Sequence, residues 1–245
     1  MPSESIPSAG SPGTRGEVPA WSEDPLTARA RSVWTGGDFL PIARSFAPGA
    51  QEFIARLALR PGESVLDVAC GTGNLATPAA RAGARVTGID IAANLIAQAR
   101  LEARTAGCVI AFEVGDAEAL PYMEHQFDTT VTMFGAMFAY RPERAATELL
   151  RVTRPGGRVA VLEFSKPRHW LFGRLYQFYF RRLLPLIGQA ISRSKDNAYL
   201  YLPASVLEFP DGEALAERLR RHGLKNVHWY PLTFGIATLY VGTKA

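Results

Sequence analysis

The sequence predicts an α/β protein built from parallel βαβ units, and three observations support this class. Short β-branched, apolar runs alternate with longer helical patterns from Ser64 onward. One such run leads into a glycine-rich turn that opens a helix, in VLDVACGTGNLA at residues 65–76. The last two apolar runs are joined by a turn too short for a crossover helix, so we expect them to pair antiparallel.

The alternation supplies five strands in series, separated by helical patterns such as AANLIAQARLEARTAG and PERAATELLRVTR. A turn at Pro155-Gly156-Gly157 precedes the fifth strand. A helix from near Asp211 to Gly223 then leads into the closing hairpin, NVHWYPL and GIATLYVGT. The five predicted strands are SVLDVA, ARVTGID, VIAFEVGD, FDTTVTMF and RVAVLEF.

Size and composition favour one domain. The chain has 245 residues, of which 47% are hydrophobic, enough for a substantial core. Its 27 basic and 23 acidic residues give a formal charge of only +4, so we expect no nucleic-acid partner. Cys70 and Cys108 lack companions at metal-ligand spacing, so we expect no metal site, no disulfide framework and a cytoplasmic location.

Two segments differ in character from the rest of the chain. Residues 1–25 are rich in Pro, Ser and Gly and predict a disordered leader, which leaves a single domain at 26–245. An insertion at about 166–210 is aromatic and basic. Its part at 168–187 is either a lid helix over the sheet or a helix lying on a membrane surface, as a peripheral contact. No run approaches the roughly 18 apolar residues of a membrane span.

The glycine-rich turn predicts a nucleotide-like ligand held against the backbone. Asp90 follows Gly71 by 19 positions, the separation that brings a carboxylate beside a ribose. A nicotinamide dinucleotide fits this spacing almost as well, and a tight turn that binds nothing is the simplest alternative. Asp67, inside the first strand, favours a cationic nucleoside, and Asp116 can accept from the exocyclic amine of an adenine.

These features resemble a class I S-adenosylmethionine-dependent methyltransferase. The resemblance implies a Rossmann-like, seven-stranded sheet, mostly parallel with the last strand reversed and with helices on both faces. It also implies S-adenosylmethionine as the cofactor, with Asp67 near its cationic group. The residues that it places at the cofactor or at the methyl-transfer cleft are Gly71, Thr72, Gly73, Asp90, Ile91, Asp116, Ala117, Met133 and Phe134.

The carboxyl third resembles the ubiquinone/menaquinone biosynthesis C-methyltransferase family, through LEFSKP, LPLIG, NAYLYLPASVLEFP and LTFGIATLYVGTK. DAEALP and RVTRPGG agree with it. The resemblance implies a hydrophobic acceptor, a lipid-tailed quinol methylated on a ring carbon. The chain departs from the family at residues 134–138, Phe-Gly-Ala-Met-Phe, where an arginine and an asparagine are expected. The stretch VWTGGDFLPIARSF resembles instead the lid of general small-molecule methyltransferases. This resemblance implies that Trp34 and Phe39 of this chain cover the cofactor.

A base that deprotonates a quinol hydroxyl would raise the electron density at the ring carbon. Tyr140 and Glu163 are the predicted catalytic residues because they lie nearest the expected cleft; each is equally readable as a loop anchor or a strand-end acid. His222 is expected to cap a helix and His228 to pack in a strand. His125 and His169 complete the candidates.

Three other functions stay open. An O- or N-methyltransferase of another small apolar metabolite fits the departure at 134–138. An RNA or DNA methyltransferase is disfavoured, because the segment after the fourth strand lacks an Asn/Asp-Pro-Pro-aromatic turn and no basic domain is added. A cofactor-binding protein without catalysis is the third.

Overall fold

The computed structural model describes residues 24–36, 40–167, 174 and 209–245. They form a seven-stranded sheet in the order β3-β2-β1-β4-β5-β7-β6. The strands are β1 Ser64–Val68, β2 Arg85–Asp90, β3 Ala111–Val114, β4 Phe127–Met133, β5 Thr153–Phe164, β6 Leu224–Leu232 and β7 Ala237–Lys244. The helices are α1 Pro25–Thr35, α2 Leu40–Ser45, α3 Ala47–Leu57, α4 Ala76–Arg81, α5 Ala93–Thr105, α6 Pro142–Val152 and α7 Glu213–Arg221.

The strand directions follow the prediction. Strands β1 to β5 pair with one another in parallel, and β7 is antiparallel to both β5 and β6. The reversed strand β7 therefore lies between two strands that run the opposite way. Because β6 is antiparallel to β7, it points in the same direction as β5, and the turn joining β6 to β7 lies at the carboxyl edge of the sheet.

Helices cover both faces, which explains the near-continuous apolar strands. Every residue of β1 from Val65 to Val68 is buried. One face packs Val65, Val131 and Leu162 against α3, α4 and α5. The other face packs β1 and β4 against α6, and β5 and β7 against α7, through residues such as Leu149 and Leu215.

The predicted turn at Pro155-Gly156-Gly157 lies inside β5. Phe127 of β4 pairs with Thr153, but Thr129 pairs with Arg158, so β5 accommodates extra residues as a bulge. Gly156 has a φ of +71° there. The sequence correctly predicts a backbone irregularity, but strand pairing continues on both sides of it.

Ion pairs close the amino edge of the sheet. Arg158 binds Glu63 at 2.5 Å, and Arg154 binds Asp128. Asp128 also accepts hydrogen bonds from the Ser64 amide and hydroxyl at 2.7 and 2.8 Å. These paired charges leave the carboxyl edge as the place to look for a ligand site, as is usual for open parallel sheets.

Candidate functional site at the carboxyl edge

The glycine loop follows β1 and has an unusual backbone. Ala69, Gly71 and Gly73 have φ values of +55°, +54° and +84°. A side chain at Gly71 would meet nothing within 4 Å, so the loop presents bare backbone to open space. At Gly73 a Cβ would lie 3.2 Å from the Phe112 ring, so this glycine also allows α5 and β3 to pack closely against the loop.

Asp90 ends β2 and fixes this loop. Its Oδ2 accepts from the Gly71 amide at 2.8 Å, and its Oδ1 accepts from the Ala92 amide at 2.9 Å. Burial raises the pKa of Asp90, while these backbone hydrogen bonds oppose the rise. The Ile91 amide also favours the charged form, and the acceptor positions of the carboxylate that these amides leave unused can take the hydroxyls of a ribose.

Asp67 lies next to this acid and is 1% exposed. Its Oδ2 accepts from the Ala76 amide at 3.0 Å, at the start of α4. Burial raises the pKa of Asp67 well above its ordinary value, and the charge of Asp90 adds to the rise. Two buried acids that repel each other beside a bare backbone loop fit a cationic ligand with sugar hydroxyls, because its positive charge would stabilise both carboxylates.

Asp116 lies just after β3 and is joined to α1. Its Oδ2 accepts from the Thr27 hydroxyl at 2.8 Å, and its Oδ1 accepts from the Glu118 amide at 2.9 Å. Thr27 and Asp116 are both buried. The neighbouring Ala117 packs against the α6 side of the core.

Three contacts hold this helix at the carboxyl edge, and we term them the α1 clasp: Thr27 with Asp116, Asp24 with Arg141, and Trp34 with Phe138. Near its first turn, the capping residue Asp24 pairs with Arg141, whose amide also donates to Glu118 Oε1 at 2.8 Å. At its other end Trp34 contacts Phe138, with ring centroids 5.2 Å apart. The helix is thus held by the segment that follows β3, through Asp116, and at both its ends by the segment between β4 and α6, through Arg141 and Phe138.

Aromatic rings form a wall where β4 and β5 end. Phe134 has a φ of +54°, which a bulky residue adopts rarely and at an energetic cost. Its ring stacks on Phe164 at 4.2 Å and contacts Phe46 at 5.0 Å. Met133 and Phe134 are half-buried and pack against the core on the side of the sheet that α3, α4 and α5 cover.

The two predicted catalytic residues differ in environment. Tyr140 is 36% exposed and follows the 3₁₀ turn Ala136–Phe138. Glu163 is 1% exposed, and its Oε1 accepts from the Met137 amide at 3.1 Å. Burial raises the pKa of Glu163 to about 8, although nearby backbone amides oppose this. The departure from the family at 134–138 places Met137 and Phe138 inside the protein.

The other predicted residues divide clearly. Thr72 is buried, while Ile91 is partly exposed beside Asp90. His222 caps α7, with Nδ1 at 2.7 Å from the Arg218 carbonyl. The expectation that His228 packs is wrong, because it is exposed on β6. His125 precedes β4, at the opposite edge. Of the predicted leader at 1–25, Asp24 and Pro25 are described and form the cap and the first residue of α1. Residues 1–23, Phe39, His169 and most of the insertion, including 168–187 apart from residue 174, lie outside the described residues.

The sequence reasoning missed Thr27 and Arg141. Each meets its partner across a long stretch of chain, 89 residues for Thr27 to Asp116 and 117 for Arg141 to Asp24. No local spacing marks such a pair. Within the described ranges, we find no helix long and apolar enough to cross a membrane and no group of three metal-ligating side chains.

Comparison with known proteins gives consistent relatives. The profile of the ubiE/COQ5 methyltransferase family matches residues 50–244. The ubiquinone/menaquinone biosynthesis C-methyltransferase UbiE of Geobacter sulfurreducens is 40% identical over 190 residues, covering 75% of this chain and 73% of that protein. The demethylmenaquinone methyltransferase of Thermus thermophilus is 42% identical over 182 residues, covering 74% and 82%.

Solved structures show the same fold. A SAM-dependent methyltransferase from Thermotoga maritima superposes with a TM-score of 0.57 at 19% identity, covering 84% of this chain and 93% of that one. At this identity the likeness concerns the architecture. It agrees with the strand order and the reversed β7.

Proposed function

Since the chain belongs to the ubiE/COQ5 methyltransferase family, we propose that it methylates a ring carbon of a lipid-tailed quinol precursor. S-adenosylmethionine is the methyl donor. The observation that carries the proposal is the aromatic wall of Phe134, Phe164 and Phe46 beside the glycine loop. Such a wall suits a flat, apolar ring, and the relatives named above are methyltransferases of quinone biosynthesis.

The cofactor supplies an activated methyl group on a cationic sulfur. We assign its ribose to Asp90 and Ile91, its adenine to Asp116 and Ala117, and its amino acid part to the glycine loop. Asp67 supports this assignment because its buried carboxyl is available to balance a positive charge. The loop residues in contact are Gly71, Thr72 and Gly73.

The chain's own contribution is placement and exclusion of water. Met133 and Phe134 would set the face of the acceptor, and Trp34 with Phe138 would close one side. Holding two reactants in line lowers a barrier by about 7–11 kcal/mol relative to free collision. Polar catalytic machinery is therefore a smaller requirement than a rigid apolar cleft.

Of the two predicted catalytic residues, we propose that Tyr140 acts at the acceptor directly and that Glu163 acts only through the turn after β4. The phenol of Tyr140 is accessible, so it can touch a bound quinol and accept or relay its proton. The Glu163 carboxyl is covered by the turn after β4 and reaches the acceptor only through that turn.

One observation favours a second candidate, methylation of an oxygen or nitrogen of another small apolar metabolite. Met137 and Phe138 are buried, so the turn after β4 presents no arginine and asparagine pair to a ring. An acceptor without a quinol hydroxyl would not need that pair.

We also propose peripheral membrane contact through 168–187, because a lipid-tailed acceptor resides in a bilayer. The support is the alternation of basic and aromatic residues in that stretch. Flotation with anionic liposomes should show binding that is lost when Arg174, Arg181 and Arg182 are replaced by Gln. Binding that ignores these substitutions would contradict the contact.

The function is tested by incubating the purified chain with labelled S-adenosylmethionine and demethylmenaquinol. We expect label in a methylated quinone identified by mass spectrometry. A matched reaction with extracted, quinone-free metabolites distinguishes the second candidate. Label only in that pool would overturn ring methylation, and label in neither would leave a binding protein.

A further inference from the structure

The turn Gly135–Phe138, which we term the β4 turn, joins several parts of the site. A Cβ at Gly135 would collide with that of Ala69, so the turn presses directly on the start of the glycine loop. At its other end Phe138 packs on Trp34 of α1. A displacement of the β4 turn would therefore change the glycine loop, the α1 clasp and the aromatic wall together.

Glu163 supports this turn from below. Its Oε1 accepts from the Met137 amide at 3.1 Å, and the amides of Gly135 and Ala136 also favour the carboxyl. Glu163 lies near the end of β5, inside the sheet, where its register partner on β7 is Thr238. At 1% exposure it is enclosed on every side.

The second oxygen of this carboxyl is unusual. Among the described residues, only two buried side-chain oxygens have no hydrogen-bond partner, and they are Glu163 Oε2 and Thr132 Oγ1. Both belong to the ends of neighbouring strands, β4 and β5. A charged carboxylate with one unpartnered oxygen in a dry site is costly, whereas an uncharged carboxyl is far less so.

Among the described residues, the groups that oppose burial at Glu163 are backbone amides, those of Met137, Phe164, Gly135 and Ala136, and not a neighbouring cation. Its partner on β7, Thr238, and its partner in the β4 turn, Met137, carry no titratable side chain. Burial is the largest influence on this carboxyl, and it favours the protonated form at neutral pH. A general base needs the opposite form and access to the proton that it removes.

We propose that Glu163 is a positioning residue and not the base of the reaction. Its uncharged carboxyl fixes the β4 turn and thereby the aromatic wall. The inference rests on the proposed function for what the wall binds. It predicts that acceptor binding weakens when the hydrogen bond from the Met137 amide to Glu163 is lost. It also predicts that the rate of methyl transfer does not depend on a negative charge at Glu163.

The test compares Glu163→Gln, which keeps an uncharged acceptor of the same length, with Glu163→Leu, which removes the acceptor. Glu124→Gln, at an exposed acid, is the control. We expect Glu163→Gln to keep kcat and the acceptor KM within about threefold of the parent. Glu163→Leu should raise the acceptor KM by roughly 5–150-fold, the loss for a buried donor left unpaired.

Two readouts need no acceptor. Hydrogen exchange of the peptide covering the β4 turn should accelerate in Glu163→Leu and stay at the parent rate in Glu163→Gln. In the infrared difference spectrum between the parent and Glu163→Gln at neutral pH, one protonated-carboxyl band should be lost, whereas Glu124→Gln should keep the parent spectrum in this region.

A loss of kcat by about 100-fold or more in Glu163→Gln would make Glu163 the base and overturn the proposal. A protonated-carboxyl band that is unchanged in Glu163→Gln, or unchanged exchange in Glu163→Leu, would also overturn it. A parent chain that methylates no quinol refutes the proposed function instead, while exchange and infrared spectra still decide the role of Glu163. If Glu163→Leu does not fold, the Gln variant provides the kinetic and infrared decisions.

Discussion

Replacing Asp90 by Ala removes one carboxyl that serves two purposes. In the structure it accepts the Gly71 and Ala92 amides at 2.8 and 2.9 Å, and in the proposed complex it also accepts from the ribose. A hydrogen bond to a charged group is worth about 1.5–3 kcal/mol. The buried Ala92 amide loses its partner outright, while the half-exposed Gly71 amide regains water, so we expect unfolding to become easier by about 1.5–3 kcal/mol.

The effect on the ligand is separate. Loss of the ribose contact should weaken binding of S-adenosylhomocysteine, the demethylated product, by roughly 10–150-fold. Titration calorimetry measures this dissociation constant, and urea unfolding monitored by circular dichroism measures the stability. Asp90→Asn is the matched control because it keeps one acceptor oxygen and the side-chain length.

The two measurements together decide the role of Asp90. Asp90→Asn keeps one acceptor oxygen but loses one of the two amide hydrogen bonds, so its stability should lie between those of the parent and Asp90→Ala, and it should bind the product more weakly than the parent. If Asp90→Ala folds and binds S-adenosylhomocysteine with the parent dissociation constant, Asp90 only shapes the glycine loop, and the ribose assignment is refuted.

Three further predictions follow from individual contacts. Gly88→Ala should lower the free energy of unfolding by about 1–3 kcal/mol, because its Cβ would lie 2.7 Å from the Phe112 ring and 3.0 Å from Cys70 Sγ; urea unfolding checks this, and adding Phe112→Leu should restore part of the loss. Thr27→Val should weaken product binding about tenfold by freeing the first turns of α1 from Asp116, whereas Thr35→Val, whose hydroxyl bonds only carbonyls of its own helix, should not; equal calorimetric titrations would count against the α1 clasp. The pKa of Glu163 rises from 4.5 in the unfolded chain to about 8 in the folded one, so its contribution to stability is complete below pH 4.5 and declines toward pH 8. Between these two pH values, the free energy of unfolding of the parent should fall relative to that of Glu163→Gln by up to about 1.4 kcal/mol per pH unit. If the stabilities of the two proteins change in parallel with pH, the carboxyl is not buried in its neutral form.

Local patterns predicted the elements that are determined locally. The run at Val65–Val68 is apolar because helices cover both sides of β1, and the short turn between the last two runs permits only an antiparallel pair. The spacing from Gly71 to Asp90 correctly placed the acid beside the loop, since strand, helix and strand return the chain to the same edge. It did not reveal that the backbone itself already uses this carboxyl.

Contacts between distant parts of the chain could not be predicted in this way. Thr27 and Asp24 precede the sheet and carry no pattern that points to Asp116 or Arg141. The left-handed backbone of Phe134 is likewise not visible in the sequence, because the residue type argues against it. In the fold the ring of this residue stacks on Phe164, which the next strand of the sheet supplies.

The α1 clasp has a kinetic consequence, because its two polar links differ in accessibility. The Asp24 to Arg141 pair has side chains 29% and 30% exposed, whereas Thr27 and Asp116 are buried. Salt at about 1 M shortens the range of electrostatic attraction to about 3 Å and acts first on the outer link. The rate at which S-adenosylmethionine replaces bound S-adenosylhomocysteine should then increase with ionic strength. The equilibrium dissociation constant should change little, because we expect the buried Thr27 to Asp116 link to determine it.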